Sequence, residues 1–78
     1  MSDWAEEIAS AEAEAERLQA AESLAEEKFY EVQARAKQAG EPDQALQTPE
    51  FQAWMSARHA TDAAWGAWAM AMDAKAAG

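Results

Sequence analysis

The chain has 78 residues, no cysteine, one histidine and a net charge of −9. A domain this short ordinarily needs a disulfide, a metal or a partner chain to hold it; the missing cysteine excludes disulfides and thiolate metal sites, and His59 alone excludes an all-histidine site, so association with another chain is left. The charge is lopsided: residues 1–27 hold nine acids against Arg17, and residues 28–78 hold six acids and five bases, which disfavours direct contact with nucleic acid or an anionic membrane and favours a basic protein surface as partner.

Two helices in one domain spanning residues 1–78 are predicted. Asp3 with Glu6 three residues on has the form of a capping box. From there to Ala39 no Gly or Pro intervenes, so helix 1 is expected over about residues 3–39. The alternation Ala11-Glu12-Ala13-Glu14-Ala15-Glu16 has the period of a strand, but Ala and Glu are strong helix formers and poor strand formers. Gly40 and Pro42 end the helix, and residues 40–48 form the connection, with room for one turn over Asp43 to Leu46. Thr48-Pro49-Glu50 starts helix 2 as cap, first helical residue and first-turn acid, and that helix runs over about residues 49–76.

No apolar run approaches the ~20 residues of a membrane span; the longest is Ala63 to Met72. The N-terminal stretch is acidic where a secretory signal would be positive, and a soluble cytoplasmic protein is expected.

Helix 1 carries one apolar seam at alternating spacings of four and three: Trp4, Ile8, Ala11, Ala15, Leu18, Glu22, Ala25, Phe29, Val32, Ala36 and Ala39, with Glu22 the exception. Helix 2 carries two. The first, Phe51, Trp54, Arg58, Thr61, Trp65, Trp68 and Met72, is bulky at both ends and polar in the middle. The second, Ala53, Ala57, Ala60, Ala64, Ala67, Ala71 and Ala74, is alanine throughout. Helix 2 therefore calls for neighbours on two sides and helix 1 on one. The economical solution is an all-α, antiparallel, coiled-coil-like two-helix hairpin that dimerises through the alanine face into a four-helix bundle. Its core is expected from Ile8, Leu18, Phe29, Val32, Phe51, Trp54, Trp65, Trp68 and Met72. A turn centred near residue 44 makes facing residue numbers total roughly 88–90, which sets Trp65 on Leu24 or Ala25, Met72 on Leu18 or Ala15, and Phe51 on Ala36 or Ala39, large against small.

Nothing in the sequence points to catalysis, a cofactor or a metal. Ser56, His59 and Asp62 share one helical face at the order of a nucleophile, base and orienter, but a straight helix offers no free backbone donors for an oxyanion. His59 lacks the Glu three residues earlier that di-metal bundles use; Ser56 stands there. Arg58, opposite Tyr30 or Glu31, either pairs with Glu27 or Glu31 or carries its charge out to solvent.

In helix 1, Asp3–Glu7, Glu12–Glu16, Glu22–Glu26 and Glu27–Glu31 are like-charge pairs one turn apart, against two favourable pairs, Glu14–Arg17 and Glu31–Arg35. Glu6, Glu7, Glu12, Glu14, Glu16, Glu26 and Glu27 are the candidate surface for a basic protein partner; the competing reading is a solubilising face. In size, acidity and lack of cysteine the chain is similar in general character to phage-encoded inhibitors of nucleic-acid-binding machinery, the anti-CRISPR and anti-restriction proteins. That resemblance implies an inhibitor acting through its acidic surface. The leading expectation is broader: a non-catalytic, homodimeric helical hairpin that binds another protein. A small structural or assembly subunit is the third.

Overall fold

The computed structural model describes residues 4–77. The expected capping box at Asp3 lies outside them. The chain folds as α1 (Trp4–Gln38), a 3₁₀ turn (Pro42–Gln47) and α2 (Pro49–Ala77), with no strand among the described residues. The two long helices pack along each other, and the whole measures 58 × 17 × 14 Å.

The connection forms as its residues dictate. Gly40 takes a φ of +77°; its N–H donates to the carbonyl of Lys37 at 3.1 Å, and that of Glu41 donates to Ala36 at 2.9 Å. These two bonds are the glycine-dependent closure of a helix end, which occupies carbonyls the helix itself leaves open. Thr48 Oγ1 donates to the Ala45 carbonyl at 2.7 Å and accepts from the Phe51 N–H at 3.2 Å. One hydroxyl thus ties the 3₁₀ turn to the start of α2.

The facing register differs from expectation. Phe29 meets Phe51 with ring centroids 5.3 Å apart and stacks on Trp54 at 5.0 Å; further along, Trp65 reaches Gln19. Facing numbers therefore total 80–84, not 88–90. The cause is the 3₁₀ turn. It is part of the returning arm, and six residues rising ~2 Å each cover ~12 Å, the length of about eight residues of α1. The return starts at Gly40, so α2 begins well down α1, and Ala45 is buried on the way, 1% exposed.

Two expectations change in consequence. Large-against-small packing does not hold near the turn, where Phe29, Tyr30, Phe51 and Trp54 form one aromatic cluster. It fits the middle of the molecule, where Ala15, fully buried, lies at the level of the edge-to-face Trp65–Trp68 pair.

α2 is also rolled part of the way from its aromatic seam, so that it meets α1 between that seam and its alanine line. Arg58 and Met72 are exposed, whereas Thr61 is buried and Ala57, Ala64 and Ala71 are half-buried. Small alanines allow close approach to α1, and rolling toward them leaves the Arg58 charge in water, avoiding its desolvation. Met72 is for this reason not a core residue: it is 41% exposed.

Candidate interaction surfaces

The core that results is thin. Ala15, Phe29 and Ala45 are the buried apolar residues, and no large side chain is fully enclosed among the described residues. Ile8, Leu18, Val32, Phe51, Trp54, Trp65 and Trp68 are half-buried. The indole N–H groups of Trp54 and Trp68 are enclosed with no acceptor in reach, a cost of ~1–3 kcal/mol for each buried, unpaired donor. Thr61 avoids that cost by donating to the carbonyl of Ala57 at 3.0 Å.

Two edges flank the helix contact. One is a shallow groove of about 530 Å³ between Ala21, Leu24, Ala25 and Lys28 of α1 and Pro49, Glu50 and Ala53 of α2. Leu24 stands 61% exposed on it, although the sequence expectation placed either this residue or Ala25 under Trp65. The alanine line runs along this edge. Its inner members are the half-covered Ala57, Ala64 and Ala71; Ala60 is half-buried, and Ala53, Ala67 and Ala74 are open.

The opposite edge is lined by Glu16, Gln19, Ala20, Ser23 and Trp65. Here Trp65 donates its indole N–H to the Gln19 side-chain oxygen at 3.1 Å. Sequence reasoning passed over Gln19; its place one position off the α1 seam was the available signal.

The seven candidate acids do not make one patch. At 100° per residue they spread around the free arc of α1; Glu26 is half-buried and the other six are exposed. Glu14 is tied to Arg17, whose Nε donates to it at 3.1 Å, and the Arg17 pKa is pushed up by that hydrogen bond and the carboxylate charge. Glu31 and Arg35 form no such bridge, and Arg58 pairs with neither Glu27 nor Glu31. Glu16 sits on the Trp65 edge. Glu22, within the seam, is half-buried.

Ser56, His59 and Asp62 are all exposed on the outer side of α2, and no hydrogen bond joins them. No group of three His, Cys, Asp or Glu residues converges on a metal-sized site among the described residues. No helix there is long and apolar enough to cross a membrane. No protein-family model, curated protein or solved structure matches this chain.

Proposed function

We propose that this chain is a non-catalytic protein–protein interaction module: an acidic helical hairpin that pairs with a second copy of itself and binds another protein. The thin core carries the reading. With Phe29 the one large buried residue among those described, the hairpin encloses too little apolar surface to offset the entropy of ordering ~70 residues. Leu24, Tyr30, Leu46, Met70 and Met72 stay in solvent, so surface is available for a second chain to cover. The exposed carboxylates, Glu12 and Glu16 foremost, favour a partner with a basic surface. An inhibitor of nucleic-acid-binding machinery would be one such partner's antagonist, acting through the same charges.

Solution mass and melting temperature across protein concentration test the first step. A dimer of twice 8.5 kDa, with a melting temperature that climbs with concentration, is expected, because association stabilises by mass action. A stable monomer with a concentration-independent melt would overturn it.

A further inference from the structure

We infer that the second copy lies end over end against the Leu24 edge, on a two-fold axis passing beside Ala21 of α1 and Ala60 of α2. This rests on the homodimer proposed above and adds its geometry. The argument begins with a row on α1. Glu7, Glu14, Ala21, Lys28 and Arg35, seven residues apart, share one side of the helix, and all are exposed. Ala21 and Lys28 line the Leu24 groove, which places the row on that edge. The order is acid, acid, alanine, base, base. Such a row matches itself when reversed: about Ala21, Glu14 meets Lys28 of the second copy and Glu7 meets Arg35, twice over. Parallel pairing in register would instead set like charges together. In the antiparallel arrangement Glu14 keeps Arg17 and gains a second cation.

α2 has a matching row on the same edge. Ala53, Ala60 and Ala67, also seven apart, are symmetric about Ala60, and Ala53 borders the groove. The two centres come from different helices, and only the tertiary register relates them. The facing totals of 80–84, fixed by Phe29–Phe51 and Gln19–Trp65, bring Ala60 level with Ala21. One two-fold axis therefore serves both rows. α1 meets α1 through paired charges around a small centre, and α2 meets α2 through alanines that let the backbones approach. The alanine row permits many registers; the charge row selects one.

Area agrees with a second copy as occupant. The chain exposes 5681 Å², whereas a compact chain of 8.5 kDa exposes about 4,700 Å². The excess, about 1,000 Å², is close to the ~800 Å² that each partner buries in a standard interface. The arrangement covers Leu24 and leaves the Glu16–Trp65 edge of each copy facing outward.

The native chain has no cysteine, so single substitutions report cleanly. Under oxidising conditions Ala21→Cys should cross-link to a covalent dimer, since two-fold-related alanines at a close helix contact fall within disulfide reach; Ser23→Cys, on the opposite edge, should not. Independently, Glu14→Lys should weaken dimerisation roughly tenfold by turning two attractive pairs repulsive, and Glu14→Lys with Lys28→Glu should restore it. Cross-linking at Ser23 but not Ala21, or no recovery in the double variant, would overturn this geometry while leaving the homodimer standing. A monomer at every concentration would overturn both.

Discussion

Trp65 donates its indole N–H to the side-chain oxygen of Gln19 at 3.1 Å, a bond between residues 46 positions apart. It joins the far halves of α1 and α2 in a register close to the one that the aromatic cluster shows near the turn. The bond is exposed to water, which competes for both groups. A double-mutant cycle of Gln19→Ala and Trp65→Phe should therefore give a small coupling, ~0.5–1 kcal/mol. Zero coupling in denaturant unfolding would show that the register is held without this bond.

Among the described residues Phe29 is the one large side chain that is nearly enclosed, 3% exposed, with Phe51 and Trp54 against it. Phe29→Ala should cost ~3–4 kcal/mol, a large share of what so small a domain has. Loss of cooperative thermal unfolding by circular dichroism is the expected result. A variant that melts like the parent would move the core elsewhere.

Gly40 has φ +77° and nothing within 4 Å of where a Cβ would sit. Gly40→Ala therefore meets strain without a clash, and ~1 kcal/mol of destabilisation is expected from the left-handed backbone alone. Thr48→Ala should cost a similar ~1 kcal/mol through the lost cap. Urea midpoints measure both, and a neutral Thr48→Ala would mean the 3₁₀ turn is held by Ala45 burial instead.

Glu22 interrupts the α1 seam as a half-buried carboxylate, with Glu26 one turn further on and also half-buried. A leucine there would bury apolar surface in the seam where the carboxylate buries little. Glu22→Leu should raise stability by ~1 kcal/mol, read as a higher melting temperature. A lower one would reveal a favourable role for the charge.

Glu12 and Glu16 are exposed, and Glu16 borders the Trp65 edge. Reversing both to Lys exchanges one like-charge pair for another, lowers the net charge from −9 to about −5 and leaves the seam residues Ala11 and Ala15 untouched. Thermal stability should stay equal or rise. Affinity for a basic protein partner should fall, and in the parent that affinity should drop steeply with salt, because exposed charges are screened within ~8–10 Å. Unchanged binding in the double variant would end the role assigned to these carboxylates.

Local chemistry made much of this protein legible from sequence alone. The end of α1, the glycine stop at Gly40 and the Thr48-Pro49 start of α2 depend on side chains acting within a few residues of themselves, and each sits within a residue or two of its expected place. The α1 seam was readable for the same reason, since its period is a property of one helix. Which residues of α2 meet α1 was decided only in three dimensions. The chain turns back at Gly40 rather than near residue 44, so the 3₁₀ turn from Pro42 to Gln47 already belongs to the returning arm, which lowers every facing total by several positions and sets Phe51 on Phe29 rather than on Ala36 or Ala39. The roll of α2 toward its alanines was equally invisible to periodicity. It follows from a balance between close packing of small side chains and solvation of Arg58, and that balance exists only once two helices lie against each other.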